Sequence, residues 1–193
     1  SGKDWDLARR HDGLFYLPAP HDEESRRRGD LRNFYYNLDF FEHSSQKYVL
    51  LAGGSFVYNI NFNELLRFHQ NTNADITMVY YTASHEAAGR STVIETAENG
   101  LVEDIAEKPA IYDGSKVSMN VFLMEKRIFV EMIRYSYEHG GQDLLLDGII
   151  RRSDEYSIYA YEHDGYVAHV DSTASYYKAN MDMMNRAVCR EVF

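Results

Sequence analysis

Lys47-Tyr48-Val49-Leu50-Leu51-Ala52-Gly53-Gly54-Ser55-Phe56-Val57-Tyr58-Asn59 is the stretch on which the fold turns. An apolar run without polar alternation that stops at a glycine pair predicts a strand covered on both faces, as in an α/β sheet. The carboxyl end of such a strand is where open α/β sheets meet their ligands. Ser55 comes directly after the glycines, and no Asp or Glu stands beside it.

Beyond this strand, Phe62, Leu65, Leu66 and His69 fall on one side of a helix that Asn61 is placed to cap. Residues 75–81 are rich in β-branched and aromatic side chains, which predicts a strand. Strand, helix, strand over this length reads as a βαβ unit with a right-handed crossover. Upstream, residues 14–17 read as a short strand closed by Pro18 and Pro20, followed by a polar loop over 21–29. Leu31, Phe34, Tyr35, Leu38 and Phe41 then follow helical spacing, with Asp30 as the expected N-cap.

Downstream, residues 91–96 and 101–106 alternate around Glu98-Asn99-Gly100, a strong hairpin signal. Residues 116–124 read as a strand, and Ile128, Phe129, Met132, Ile133 and Ser136 outline the helix after it. A short amphipathic segment covers 144–151. Residues 156–161 and 166–170 flank His163-Asp164-Gly165 as an expected second hairpin. A final helix is expected from the spacing of Tyr177, Met181, Met184 and Val188. Strands alternating with helices, plus antiparallel additions, imply a mixed sheet between helices. No repeat, low-complexity stretch or linker divides the chain, so residues 1–193 read as one domain.

Composition bounds the function. The chain has 193 residues, 45% hydrophobic and 14% aromatic, enough for a sizeable core. With 30 acidic against 20 basic residues the formal charge is −10, which repels a polyphosphate backbone and argues against nucleic acid as a partner. No apolar run approaches the ~20 residues of a membrane-spanning helix. Ser1-Gly2-Lys3-Asp4-Trp5-Asp6 lacks the layout of a signal peptide, so the expectation is a cytoplasmic protein without a membrane role. The single cysteine, Cys189, has no disulfide partner in the chain and reads as helix packing.

Several candidates weaken on inspection. Arg26-Arg27-Arg28 would suit phosphate oxygens, but Asp22, Glu23, Glu24 and Asp30 balance it, which favours a solvated loop. The histidines are dispersed and show no metal-ligand spacing. Gly54-Ser55-Phe56-Val57-Tyr58 lacks the second glycine of a nucleophile elbow.

Four ordered segments carry a family resemblance: residues 29–39, residues 51–66, residues 105–109 with 118–124, and residues 165–182, which end in Ser175-Tyr176-Tyr177-Lys178-Ala179-Asn180-Met181-Asp182. They resemble the glucose-1-phosphate adenylyltransferases (ADP-glucose pyrophosphorylases) of bacterial glycogen synthesis. The resemblance implies an α/β fold: a Rossmann-like nucleotidyltransferase (nucleotide-diphospho-sugar transferase) mixed sheet with helices on both faces. It further implies that residues 1–193 are part of that domain, without its first βα unit, its glycine-rich triphosphate loop or the left-handed β-helix that follows it.

The same resemblance assigns the site. In catalytic members an Asp that holds Mg²⁺ follows the strand matched by Tyr48 to Gly54, and a second follows a Gly-Tyr-Trp-Arg segment. Ser55 and His169 stand at those positions. Mg²⁺ prefers charged oxygen ligands and neutralises charge on transferring phosphates, so a hydroxyl and an imidazole replace the two acids poorly. The expectation is therefore no catalytic residue and no metal in this chain, Mg²⁺ belonging only to catalytic relatives. His169 as a ligand for a softer metal lacks a second His or a Cys nearby, and a hydrogen-bonded strand histidine is the plainer reading.

Asp30 and Leu31 replace small residues that lie against the nucleotide in the family, leaving Gly29 and Asp30 as a nucleotide-side remnant, and a family Gly falls near Thr92. Glu107-Lys108-Pro109, Ser118-Met119 and the pair Asp143 and Asp147 match the sugar side, giving Glu107, Lys108, Ser118 and Asp143 as a sugar-phosphate-binding remnant. Taken alone, Glu-Lys-Pro reads more readily as a solvated strand end. The resulting expectation is a non-catalytic regulatory subunit that joins the catalytic subunit of ADP-glucose pyrophosphorylase in a hetero-oligomer. Two other readings stay open: an active sugar nucleotidyltransferase that seats Mg²⁺ through Asp171 or Asp164, Asp171 sharing a strand face with His169, and an effector-binding or assembly module.

Overall fold

The computed structural model describes residues 15–18, 29–84, 91–107 and 109–192. Lys108 and Arg26-Arg27-Arg28 lie outside the described residues. In chain order the elements are α1 (Leu31–Tyr36), α2 (Leu38–His43), β1 (Tyr48–Ala52), β2 (Phe56–Tyr58), α3 (Phe62–Thr72), β3 (Ile76–Thr82), β4 (Thr92–Thr96), β5 (Val102–Glu107), β6 (Lys116–Glu125) and α4 (Lys126–Glu138). A π-helical segment, Leu144–Ile149, and a 3-10 segment, Ile150–Glu155, come next. The chain ends with β7 (Ile158–Glu162), β8 (Val167–His169), α5 (Thr173–Met183) and α6 (Arg186–Val192). The fold is α/β with a mixed sheet flanked by helices, as expected. Among the described residues no helix is long and apolar enough to cross a membrane.

Two compact units emerge: the described residues up to Ser45 with Val130–Arg151, and Gln46–Phe129 with those from Arg152 on. In the second unit the sheet runs β5-β4-β6-β3-β7, and β1 also pairs with β6. Strand β3 follows one edge of β6, while β4 and β1 share the other, β4 at Lys116 and Val117 and β1 from Val121 to Glu125. Both β1 and β3 are antiparallel to β6, so they run in the same direction with β6 between them; the strands of the expected βαβ unit are not neighbours. As an edge strand β1 is only half-buried, Leu50 being 37% exposed, which corrects the expectation that both its faces are covered.

Helix α3 forms where the sequence placed it. Asn61 accepts from the N–H groups of Asn63 and Glu64 and its amide donates to Glu64, so the first-turn donors are satisfied. Leu65 and the neighbouring Ile60 join Val79, Met119, Val121 and Leu123 in the core. Burying a side chain such as Leu65 stabilises by about 2 kcal/mol. His69 on the same face shares a 2.8 Å hydrogen bond with Thr77, and burial holds its imidazole below the ordinary range.

Two other expectations fail for non-local reasons. Residues 156–161 and 166–170 form no hairpin: β7 lies parallel to β3, and β8 pairs antiparallel with β2 in a separate ribbon. Tyr177 and Met181 of α5 and Met184 at its C-cap are exposed, and the helix ends at Met183; Ala179 is its buried residue.

In the first unit the expected single helix is divided at Asn37, whose amide donates to the Asn33 carbonyl at 2.8 Å and to the Pro18 carbonyl at 3.3 Å. Phe15 to Pro18 is irregular rather than a strand, with the Phe15 ring 5.2 Å from Phe40. Tyr35 stacks on Tyr137 at 3.9 Å, and Leu31, Leu38, Met132, Ile133, Leu144 and Ile149 are buried.

Candidate functional site

Three contacts build the strand end at Gly53-Gly54. Chain pairing along β1 stops at Ala52, and the Gly53 N–H donates to the Asn120 carbonyl at 3.0 Å. Gly54 and Ser55 turn the chain into β2. Phe56 then pairs with His169 of β8, and the Val170 N–H donates to the Ser55 carbonyl at 2.7 Å. Ser55 and His169, which sequence reasoning related only through the resemblance, thus lie on neighbouring segments, Ser55 bonded to Val170 and His169 paired with Phe56.

Their chemistry does not suit Mg²⁺. Ser55 offers a neutral hydroxyl, and the His169 imidazole lies flat on the Phe56 ring at 4.3 Å and 10°. Stacking of this kind suits an aromatic contact within the ribbon. The Asp171 expectation is corrected: β8 ends at His169, so Asp171 is not on the strand. Its carboxylate accepts from the Ser175 hydroxyl at 3.0 Å, and that bond, with His169 adding to it, holds the carboxyl below its usual range. Ser172 completes the cap of α5 with Ser175. Asp164 is exposed between β7 and β8. Among the described residues no group of three His, Cys, Asp or Glu is placed to hold a metal ion. Ser55 and His169 thus supply no carboxylate oxygen, the donor that a hard divalent cation prefers.

The segment around β8 is anchored from its other end. The Tyr166 hydroxyl donates to the Asp182 carboxylate of α5 at 3.0 Å. Burial, with that carboxylate beside it, pushes the phenol up to about 12. Two parts of the resembling segment, Gly165-Tyr166 and Asn180-Met181-Asp182, are thereby tied together.

Of the residues that the resemblance gives to a sugar phosphate, Glu107 ends β5, exposed, and pairs with Thr92 of β4. Ser118 is 1% exposed, and its hydroxyl accepts from the Asn120 N–H at 3.2 Å. Sequence reasoning missed Asn120. It sits inside β6 with φ of 54°, in the left-handed region, and the register with β3 slips there from Val79↔Val121 to Tyr80↔Ser118. Its signal was present: a polar amide interrupting the apolar run Val117 to Met124.

In the first unit Gly29, Asp30, Asp143 and Asp147 form a second cluster. The Leu31 N–H donates to the Gln142 carbonyl at 3.2 Å, and a Cβ on Gly29 would lie 2.0 Å from that oxygen. Asp30 occupies the N-cap position of α1 but does not cap it; its carboxylate accepts from the Leu144 N–H at 2.9 Å. Burial, aided by the charge of Asp143, raises the Asp30 carboxyl above its usual range despite that bond. Asp143 accepts from the Leu146 N–H at 2.8 Å. Asp147 accepts from the N–H groups of Gln142 and Asp143 and pairs with Arg151. Burial works against its charge, but the Asp143 and Gln142 N–H groups and the guanidinium outweigh it and hold its carboxyl low.

Among known proteins, the family model for nucleotidyl transferases matches residues 18–186. The chain is 30% identical over 192 residues to a glucose-1-phosphate adenylyltransferase of Mycoplasma mobile, covering 95% of this chain and 50% of that protein. It is 28% identical over 194 residues to the glycogen biosynthesis protein GlgD of Bacillus subtilis, covering 100% of this chain and 47% of that protein. A glucose-1-phosphate adenylyltransferase of Acetivibrio thermocellus is 30% identical over 192 residues, with 96% and 45% covered. The chain spans about half the length of the curated relatives it matches.

Proposed function

The chain belongs to the nucleotidyl transferase family, and from that premise we propose that it serves glycogen synthesis as a regulatory, catalytically deficient subunit of a glucose-1-phosphate adenylyltransferase. The observation that carries this reading is the absence of a carboxylate at the strand end, where Ser55 presents a hydroxyl and His169 is stacked on Phe56. Transfer of an adenylyl group from ATP to glucose 1-phosphate breaks the bond between the α- and β-phosphates and releases pyrophosphate. That step concentrates negative charge, and neither side chain neutralises it.

The role left to such a subunit is binding. A sugar phosphate held near Glu107 and Lys108 would alter a catalytic partner through a coupling free energy between subunits. The names of the relatives support the pathway, since they include both adenylyltransferases and a glycogen biosynthesis protein. An independently active nucleotidyltransferase is the second reading, favoured by the two relatives named for that activity. Against it stands the engagement of Asp171 with Ser175.

Pyrophosphate release from ATP and glucose 1-phosphate separates the two. The protein alone is expected to give none above background, and addition of a catalytic subunit is expected to give turnover whose rate or effector response depends on this chain. Robust turnover by the protein alone supports the second reading instead.

A further inference from the structure

The tip of the β4–β5 hairpin carries a chemistry that the proposed function does not use. Its turn is closed by the Ala97 N–H donating to the Leu101 carbonyl at 2.9 Å and the Gly100 N–H donating to the Ala97 carbonyl at 3.0 Å. Asn99 is exposed, and its Oδ1 accepts from the Leu101 N–H at 3.0 Å. Gly100 takes φ of 83°, the left-handed conformation that glycine adopts without steric cost. The turn also holds β7: the Gly100 carbonyl accepts from the Ala160 N–H at 2.9 Å, and Leu101 bridges to Tyr159. Since β3 pairs with β7 as well, the turn sits on the edge of β7 that β3 leaves open.

Asparagine is a thermolabile residue, and a following glycine puts no side chain in the way of attack by its backbone nitrogen. The reaction forms a bond from Gly100 N to Asn99 Cγ and breaks the Cγ–Nδ2 bond. The Gly100 N–H proton passes to solvent, the departing nitrogen takes one up, and ammonia leaves. Water then opens the cyclic imide at either carbonyl, giving aspartate or isoaspartate; one water enters and one ammonia departs overall. Two hydrogen bonds oppose the first step here. Gly100 must give up the proton that it donates to Ala97, and rotation of the Asn99 amide breaks its bond to Leu101.

We propose that Asn99-Gly100 is a deamidation site gated by opening of this turn, and that isoaspartate formed there releases the edge of β7. Isoaspartate routes the main chain through Cβ and adds a bond ahead of Gly100, which displaces the Gly100 carbonyl from Ala160. Aspartate keeps the backbone path and an acceptor for the Leu101 N–H, so it leaves the contact in place. The inference is independent of the activity proposed above.

Ageing the full chain in mildly alkaline buffer, folded and in urea, with mass spectrometry of the peptide spanning residues 91–107, tests the site and its gate. Loss of the two turn bonds predicts conversion at Asn99 about tenfold or more faster in urea than in the folded protein. Equal rates overturn the gate, and no conversion in urea overturns the site. The isoaspartate form, separated by its added charge and told from aspartate by its fragmentation, is expected to melt at a lower temperature than the unmodified protein, while Asn99→Asp melts as the wild type does. Isoaspartate protein that melts together with Asn99→Asp contradicts the release of β7.

Discussion

The Gly29-Asp30 cluster of the first unit and the β2–β8 ribbon of the second treat acidic side chains in opposite ways. In the first, Asp30, Asp143 and Asp147 are all present, and each accepts from at least one backbone N–H group. In the ribbon, the two positions that the resemblance gives to metal-binding acids carry Ser55 and His169. Carboxylates are thus found where they tie loops and are missing at the two positions that the resemblance gives to an ion.

The largest expected effect breaks the first cluster outright. Gly29→Ala drives a methyl group into the Gln142 carbonyl, 2.0 Å away, and backbone on both sides must move. A loss of about 4 kcal/mol or more is expected in urea denaturation. A fully stable variant would show that the clamp between residues 29–31 and 142–144 is not needed.

Asp147→Ala is next, at about 2–3 kcal/mol, because two backbone donors and Arg151 lose one acceptor together. Its pH dependence has a definite sign. The folded carboxyl is held below its ordinary 3.8, so its contribution is present above that value and disappears as pH falls through the lower folded value. Asp147→Asn should flatten that acid-side loss, measured as melting temperature against pH.

Asp30 behaves in the reverse sense and with a smaller effect. Its folded carboxyl is raised above 3.8, so stability is greatest below that value and declines as pH rises through the folded one. Asp30→Asn keeps an acceptor for the Leu144 N–H and loses the repulsion from Asp143, so a change near zero is expected, with the pH slope removed. Asp30→Ala strands the N–H and should cost about 1 kcal/mol. Equal losses in both variants would mean that charge rather than the hydrogen bond matters.

Legibility in the sequence tracks the range of the interactions. The α3 cap at Asn61 and the hairpin of β4 and β5 are local, coded within a few residues, and both formed as read. His163-Asp164-Gly165 has equally good turn chemistry, but β3 takes β7 and β2 takes β8, pairings that no neighbouring residue encodes. Asp30 looked like a cap because its true partner, Leu144, is far along the chain. That Ser55 and His169 lie on neighbouring segments was legible only through resemblance. Asn120 was visible as an amide in an apolar run, but its left-handed backbone was not.

The proposed inability of the ribbon to seat a hard divalent ion is open to direct measurement. Mn²⁺ shares the carboxylate-oxygen preference of Mg²⁺ and broadens water relaxation when bound. Titrated into the wild-type protein and into Ser55→Asp/His169→Asp, with and without ATP, it should give saturable protein binding only in the double variant. Saturable, stoichiometric binding of Mn²⁺ by the wild type, displaced by Mg²⁺, would contradict the proposed loss of the metal seat.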